Sequence, residues 1–167
     1  MIPCFTQRRR ECVAFPLHHV ETVLAKLSEA LFVETLRRYI ALLPEQQKGW
    51  LAGVRDPEVG KALALMHRHP AQLWTIAALA RESGISRSVL AERFRHYLGE
   101  PPMSYLTRWR LQLGGQMLVS TSYSVAQIAS EVGYESEQAF NRAFKREFLL
   151  PPARFRSEAK SARKKRC

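Results

Sequence analysis

An internal repeat runs through the C-terminal half of this chain: residues 76–84 read IAALARESG, and residues 125–133 repeat the pattern as VAQIASEVG. The offset is 49 positions up to the glycine and 50 beyond it, so the second copy has one additional residue in its turn. At the larger offset Phe94 aligns with Phe144, and Pro101-Pro102 aligns with Pro151-Pro152. A self-match of this length indicates two copies of one supersecondary unit.

Each copy has the features of a helix, a tight turn and a second helix. Gly84 and Gly133 can adopt the left-handed conformation that ends a helix, because glycine has no Cβ to clash with the backbone. Shortly after each glycine, Ser86 and Ser136 can cap the next helix. An alanine four residues before each glycine leaves room for the second helix to cross closely. The pattern predicts two helix-turn-helix units.

One helix is predicted between the two copies, from Pro102 to about Val119. Its apolar residues recur at helical spacing and are Met103, Leu106, Trp109, Leu113 and Met117. At 1.5 Å per residue this helix is roughly 27 Å long. Successive major-groove segments on one face of B-DNA recur every ~34 Å, so the spacing favours a single chain that reads two adjacent turns of one duplex.

The basic residues are concentrated in the same half of the chain. The 167 residues include 26 Lys and Arg against 15 Asp and Glu, a formal net charge of +11. Residues before Trp74 contribute +3, and those from Trp74 onward contribute +8. This excess suits a polyanionic partner, either nucleic acid or an anionic membrane surface. The longest apolar run, Ile40 to Pro44, is far below the roughly 20 residues that span a bilayer, so we expect no membrane-spanning helix.

The cysteine pattern argues against disulfides and against a metal site. The three cysteines, Cys4, Cys12 and Cys167, form an odd set without a Cys-x-x-Cys pair. Cys4 and Cys12 could supply four metal ligands together with His18 and His19, but their spacing matches no common zinc template. The N-terminal arginines are followed by no apolar stretch typical of an export signal. We expect a cytoplasmic, nucleoid-associated protein with reduced thiols and with neither a metal nor another cofactor.

The N-terminal half is predicted to hold an amphipathic helix and a linker, after a segment, residues 1–19, with no assigned structure. From Val20 to Leu43, apolar residues recur every three or four positions among charged ones, and Pro44 ends the pattern. The turn-forming residues that follow predict a linker, so that residues 20–55 comprise helix and linker. Asp56 can then cap a helix with Pro57 in its first position and an apolar face up to about residue 67.

The repeat region resembles a known protein family. Residues from about 56 to 158 are similar to the C-terminal domain of the AraC/XylS family of bacterial transcription regulators. The matching stretches are Trp74–Ala80, Ser86–Phe94, Tyr105–Leu111, Ile128–Ser136, Phe140–Lys145 and Pro151–Arg156. The resemblance implies an all-α, homeodomain-like fold with seven helices and sequence-specific binding of double-stranded promoter DNA. It also implies RNA polymerase as a partner.

The resemblance also implies how the chain is divided. It places the first helix-turn-helix at about 75–99, the connecting helix at about 102–119 and the second helix-turn-helix at about 124–149. A basic tail, 159–167, with five basic residues between positions 160 and 166, resembles a disordered arm. The segment from Val20 to Trp50 resembles the helical end of a cupin-type sensor domain, whose β-rich body is absent from this sequence.

On the first recognition helix, the resemblance implies contacts with base edges through Ser88, Ala91 and Glu92. Ser86, Arg87 and Arg95 are implied to contact phosphates. Alanine can only touch a thymine methyl group, and glutamate would have to accept from a cytosine amine, so these residues can discriminate little. The alternative is that this helix mainly positions the domain on the DNA backbone.

On the second recognition helix, the implied base contacts are Gln138, Ala139, Asn141 and Arg142. Arginine can pair bidentately with guanine and glutamine with adenine, so this helix is suited to read sequence. The implied phosphate contacts are Ser136, Lys145, Arg146, Arg154 and Arg156. The alternatives are a phosphate contact or a solvated charge for Arg142, and a salt-bridged solvent face for the other basic residues.

Several apolar residues at helical spacing are interpreted as core and are assigned no contact; they are Leu90, Phe94, Phe140, Phe144 and Phe148. Trp74 and Trp109 are also interpreted as core.

Catalysis is not expected, because His67 and His69 cannot share a helical face and no phosphate loop or carboxylate pair is present. The alternative function is a protein-interaction or adaptor module that uses the helix 20–43. That helix could form a homodimer through its apolar residues, or it could fold back on the helix that begins at Pro57.

Overall fold

The structure is a computed structural model that describes residues 17–42 and 48–164. In these ranges the chain folds into α-helices joined by short turns, with no β-strand, which confirms the predicted all-α class. The helices are α1 (Leu17–Leu42), α2 (Trp50–Arg55), α3 (Pro57–Arg68), α4 (Ile76–Ser83), α5 (Arg87–Leu98), α6 (Pro102–Ser120), α7 (Val125–Glu131), α8 (Glu137–Phe148) and α9 (Pro152–Lys164). No helix within these ranges is both long and apolar enough to cross a membrane.

Helix α1 belongs to one compact unit of the chain, and helices α2 to α9 belong to a second. It begins at Leu17, three residues before the start that the sequence pattern predicts. Its apolar side chains are largely exposed: Leu24 and Leu27 are 57% and 55% exposed, and Leu31 is 68% exposed. The helix therefore carries a solvent-accessible apolar surface.

The first subdomain consists of α2 to α5 and the N-terminal half of α6, packed around one core. Its buried side chains are Val59, Ala62, Leu63, Met66, Trp74, Leu79, Ala80, Leu90, Phe94, Tyr105 and Leu106. Asp56 caps α3 as predicted, because its side chain accepts hydrogen bonds from the backbone N–H groups of Glu58 and Val59, and Pro57 is the first helical residue. Four apolar residues of α3 thereby face the core.

Helix α2 lies in the segment that the sequence pattern predicts as a linker, and this prediction was wrong for residues 50–55. Ala52 and Gly53 are buried in α2, and a Cβ on Gly53 would lie 3.3 Å from the Tyr97 and Leu98 side chains of α5. Six residues are too few to show a helical period, and a glycine by itself predicts a turn. Only the close contact of Gly53 with α5 explains why a helix forms there. The first subdomain therefore includes residues before the predicted boundary at 56.

The second subdomain consists of the C-terminal half of α6 together with α7, α8 and α9. Its buried side chains are Leu111, Leu118, Ile128, Ala129, Val132, Phe140 and Phe144, and Phe148 and Phe155 pack against them. The predicted core phenylalanines of both copies are therefore in the cores, and Trp109 packs at the edge of the first one. Helix α6 spans 19 residues and contributes to both cores, so it is the structural link between the subdomains.

Both helix-turn-helix turns have the predicted geometry. Gly84 and Gly133 have φ angles of 78° and 83°, in the left-handed region. The Ser86 and Ser136 hydroxyls each accept a hydrogen bond from the backbone N–H group three residues further on, at 3.3 Å and 3.2 Å. These caps fix the first turns of α5 and α8, which are the two predicted recognition helices.

The C-terminal tail is helical as far as the structure describes it, so the predicted disordered arm was wrong for residues 159–164. Helix α9 continues to Lys164. Arg154 and Glu158 form an i,i+4 ion pair at 2.8 Å, and Phe155 anchors the helix on the second core. Alanine, lysine and arginine have high helix propensity, so a helix anchored at its start continues through them.

The residues considered and rejected as a metal site in the sequence are not among the side chains that the structure describes. This applies to Cys4, Cys12, His18 and His19, and Cys167 also lies outside the described residues. Among the side chains that are described, no group of three or more His, Cys, Asp or Glu residues could hold a metal ion.

Candidate nucleic-acid interface

Helix α5 presents four of its candidate contacts to solvent. Arg87, Ser88, Glu92 and Arg95 are exposed, and Ala91 is partly buried. Ser88, Glu92 and Arg95 are separated by four and three residues, so they lie on one face of the helix. The Ser88 hydroxyl is 3.0 Å from the hydroxyl of Ser86, the capping residue. This face combines one cation with a carboxylate and a small residue, and Arg87 lies beside it, so α5 is better suited to backbone contact than to base recognition.

Helix α5 is held in place by an ion-pair network that sequence reasoning missed. The Arg93 guanidinium donates to Asp56 Oδ2 at 2.8 Å and to Glu58 Oε2 at 2.7 Å. Asp56 is the cap of α3, so the network ties the first turn of α3 to the middle of α5. The carboxylates, chiefly Asp56, raise the pKa of Arg93. No local sequence pattern could reveal this network, since Arg93 is 37 positions from Asp56 and 35 from Glu58.

Helix α8 presents a more basic face. Gln138, Arg142, Lys145 and Arg146 are exposed, whereas Ala139 and Asn141 are partly buried. Gln138, Arg142 and Lys145 or Arg146 follow one another at intervals of three or four residues and therefore share a face. Within the described residues, the structure gives no hydrogen bond or ion pair to the Gln138, Arg142 and Lys145 side chains. These donors are accordingly available to a ligand.

A cleft of about 390 Å³ lies beside α8. Its walls include Arg142 and Lys145 of α8, Val125 of α7 and the Pro151–Ala153 segment at the start of α9. Asn141 also lines the cleft, and its amide donates to Glu137 at 3.5 Å. Glu137 lines the cleft as well, so the two cations Arg142 and Lys145, next to the N-terminus of α9, share it with one carboxylate.

The two candidate phosphate contacts on α9 have different surroundings. Arg154 is exposed and pairs with Glu158 one turn along the helix. The guanidinium of Arg156 donates to the backbone carbonyls of Leu118 and Tyr123, so it holds the end of α6 and the loop before α7. Arg156 therefore has a structural role in the second subdomain, which its place in the basic C-terminal segment does not reveal.

A cluster of rings on the first subdomain was also missed. His67 stacks on Trp109 with ring centroids 4.1 Å apart, and its Nε2 is 2.8 Å from the Tyr105 hydroxyl. Trp50 donates to the same hydroxyl at 3.3 Å. Burial lowers the pKa of His67 and raises that of Tyr105. The cluster joins α2, α3 and α6, and Arg108 lies over the Tyr105 ring at 5.4 Å.

Comparisons with known proteins identify the domain. Residues 79–158 match a family model described as a helix-turn-helix domain. A putative AraC-like transcription regulator from Streptomyces lividans is 43% identical over 136 residues, which are 81% of this chain and 45% of that protein. The chain carries an AraC-type helix-turn-helix domain and belongs to the AraC family. The resemblance noted in the sequence is thereby confirmed.

Two further regulators are similar to this chain. The HTH-type transcriptional regulator AlkR of Acinetobacter baylyi is 38% identical over 139 residues, covering 83% of this chain and 45% of that protein. The DNA-binding domain of AdpA, a global transcriptional factor solved in complex with a target DNA, has a TM-score of 0.62 and 27% identity, and the match covers 65% of this chain and 96% of that one. The chain spans about half, 45%, of the length of these curated relatives.

Proposed function

We propose that this chain binds double-stranded promoter DNA sequence-specifically and regulates transcription, with α5 and α8 in two successive major-groove segments. The observation that carries the proposal is the duplicated unit: each copy presents a capped recognition helix, and α6 links the two copies. At 1.5 Å per residue, α6 is about 28 Å long, which is compatible with the ~34 Å repeat of B-DNA. The likeness to the DNA-bound AdpA domain supports the same function.

The two recognition helices have unequal roles. Helix α8 reads bases through Gln138 and Arg142, because the amide and the guanidinium can donate to purine edges. Ala139 and Asn141 lie beside them. Helix α5 mainly positions the domain, with Arg87 and Arg95 at phosphates. Ser88, Ala91 and Glu92 add little discrimination.

The remaining candidate phosphate contacts lie on α8, at the N-terminal caps of α5 and α8, or on α9. They are Ser86, Ser136, Lys145, Arg146 and Arg154; the Arg156 guanidinium instead binds the carbonyls of Leu118 and Tyr123. Each phosphate neutralised by a lysine or arginine releases counterions, so binding should weaken steeply between 50 and 200 mM salt. A protein-interaction module that used a helix in a groove would show little salt dependence.

Selection of binding sites from randomised duplexes, followed by single substitutions, tests the assignment of α8. Arg142→Ala should weaken specific binding by about 1–3 kcal/mol and relax the base preference at one position, because a bidentate base contact is lost. Lys145→Ala on the same helix is the matched control and should weaken binding to all sequences similarly. If Arg142→Ala lowers nonspecific affinity and leaves the selected motif unchanged, the assignment of base and phosphate roles is wrong.

Footprinting of the selected site tests the engagement of both helices. Protection should extend over about two turns of duplex, with contacts about 10 bp apart. A single protected groove segment would show that only one helix-turn-helix binds.

Since promoter DNA is in the nucleoid of a bacterial cytoplasm, we propose that the chain acts there and contacts RNA polymerase when bound. Co-purification of the polymerase with a promoter-bound complex, and not with the free chain, checks that contact.

Helix α1 supports a second proposal, a homodimer. Its leucines Leu24, Leu27 and Leu31 are more than half exposed. The alternative fold-back onto α3 is disfavoured, because the apolar face of α3 is already buried against α2, α4 and α5. Burying apolar area between two α1 helices recovers about 25 cal/mol per Å² before the entropic cost of association.

Sedimentation equilibrium tests the dimer. We expect association that depends on concentration, and Leu27→Glu with Leu31→Glu should abolish it while the DNA-binding domain stays folded by circular dichroism. A strict monomer of 19.2 kDa at about 100 µM would refute the dimer, because this concentration is well above the dissociation constants of ordinary dimers.

A further inference from the structure

The two subdomains touch at a junction that neither core includes. We define the junction as the Pro70–Gln72 turn between α3 and α4, Arg110 in the middle of α6, and Gly133 in the turn of the second helix-turn-helix. The first element belongs to the first subdomain, the last belongs to the second, and Arg110 lies between them. The junction is therefore placed where it can set the angle between the subdomains.

Arg110 fastens α6 to the first subdomain. Its Nε donates to the Pro70 carbonyl at 2.7 Å, and its Nη2 donates to the Gln72 carbonyl at 2.8 Å. Two donors of one planar guanidinium thus bind two carbonyls of one turn, which fixes the orientation of the group as well as its distance. Burial lowers the pKa of Arg110, an effect that Tyr134 of the second subdomain opposes.

Gly133 of the second subdomain contacts the same turn of the first subdomain. A Cβ at this position would lie 2.7 Å from Ala71 Cα, 2.9 Å from the Ala71 carbonyl oxygen and 3.0 Å from Arg110 Cζ. Glycine is required here for two reasons, the positive φ angle and the direct contact with backbone atoms of the other subdomain. The turn before α8 therefore rests on the turn before α4 and on the guanidinium that holds it.

We propose that this junction, through Arg110 and Gly133, sets the fixed distance and angle between α5 and α8 and so determines which spacing between the two DNA segments the chain accepts. The proposal rests on the proposed function and adds residues that select for spacing without contacting DNA. A rigid link gives the second helix a high effective concentration at one spacing only. A loose link spreads that concentration over several spacings.

The DNA test uses the selected duplex and derivatives with one or two base pairs inserted or removed between the two protected segments. One added base pair rotates the second segment by about 35°. For the wild-type chain, we expect each change to weaken binding by at least about tenfold, since the second helix then no longer reaches its groove. For Arg110→Ala, binding at the original spacing should weaken and the loss caused by a changed spacing should shrink to below about threefold.

Arg108→Ala is the matched control. Arg108 lies on the same helix two residues earlier, and its guanidinium pairs with Glu100 within the first subdomain. We expect it to keep the spacing dependence of the wild-type chain. An Arg110→Ala chain that retains the full wild-type spacing dependence would overturn the proposal. So would an equal loss of spacing dependence in both variants. If Arg110→Ala is not folded by circular dichroism, Arg110→Gln, which keeps one amide donor, replaces it.

A distance measurement on the free chain separates this proposal from the proposed function. Spin labels at Glu82→Cys on α4 and Glu131→Cys on α7, with the three native cysteines changed to serine, report the distance between the subdomains by double electron–electron resonance. We expect one narrow distribution for the otherwise unmodified chain and a broader one for Arg110→Ala. A broad distribution before the Arg110 change would refute a rigid junction. Failure to bind DNA would contradict the proposed function and leave this distribution unchanged.

Discussion

Two adjacent glycines in α6 should respond to alanine with opposite signs. Gly114 and Gly115 are both buried in the helix that links the subdomains. A Cβ on Gly114 would lie 2.9 Å from two ring carbons of Phe140, whereas a Cβ on Gly115 would be 3.7 Å from the nearest atom, in the ring of Phe148. The first distance is a steric overlap, and the second is an ordinary van der Waals contact.

The size of each effect follows from two terms. Alanine in a helix interior is about 1 kcal/mol more favourable than glycine, so both substitutions gain this amount. Gly115→Ala keeps the gain and should stabilise the fold by about 0.5–1 kcal/mol. At position 114 the overlap is with a fully buried ring that packs between Tyr134 and Phe144. Overpacking of this kind costs about 1–3 kcal/mol, so Gly114→Ala should destabilise the fold by about 1 kcal/mol.

Urea denaturation followed by circular dichroism at 222 nm measures both variants. Tryptophan fluorescence is a poor probe here, since Trp50, Trp74 and Trp109 all lie in the first subdomain and the substitutions affect the second core. If Gly114→Ala stabilises the chain as much as Gly115→Ala does, the Phe140 ring can move aside. The reasoning from its packing would then be refuted.

Two further predictions concern the first subdomain, and its tryptophan fluorescence can follow both. Asp56→Ala should lower the free energy of unfolding by about 2–3 kcal/mol, because it removes the cap of α3 and a charged partner of Arg93. The control Thr75→Ala removes only the cap of α4 and should lower it by about 1 kcal/mol. Equal losses in the two variants would contradict the role of the ion pair. Burial holds the pKa of His67 below its ordinary value of 6.5, so the unfolded chain binds a proton that the folded chain resists. The free energy of unfolding should therefore fall as the pH is lowered through 6.5 towards the pKa of the folded state. This pH-dependent loss of stability should disappear in His67→Gln and remain in His96→Gln. A His67→Gln chain with the pH profile of the wild-type chain would rule the effect out.

The helix bounds near the repeat were accessible from local patterns, whereas α2 was not. The predicted connecting helix, 102–119, differs by one residue from the observed Pro102–Ser120, because prolines and capping residues act on their immediate neighbours. Helix α2 depends on Gly53 packing against α5, a contact between residues more than 40 positions apart. The disordered tail was wrong for a related reason: Phe155 anchors α9 on the second core, and no local pattern indicates that anchor.

The candidate site was divided in the same way. The family resemblance implied Gln138, Arg142 and Lys145 as DNA contacts, and the structure shows that all three side chains are exposed on α8. The roles of Arg93, Arg110 and Arg156 could not be predicted, because each guanidinium binds acceptors 33 or more positions away in the chain. Of the three, only Arg156 was a candidate phosphate contact, and all three guanidinium groups form internal hydrogen bonds in the structure.

The sequence by itself determined the fold class and the duplicated unit, because turns, caps and helical periods are short-range properties that each segment carries alone. Tertiary structure decided which arginines are exposed to solvent and which hold the domain together. It also decided how the two helix-turn-helix subdomains are oriented, because Gly133 rests on Ala71 and Arg110 binds the turn that contains Ala71. That orientation depends on atoms brought together from three separate segments, and their distances exist only once both cores have formed.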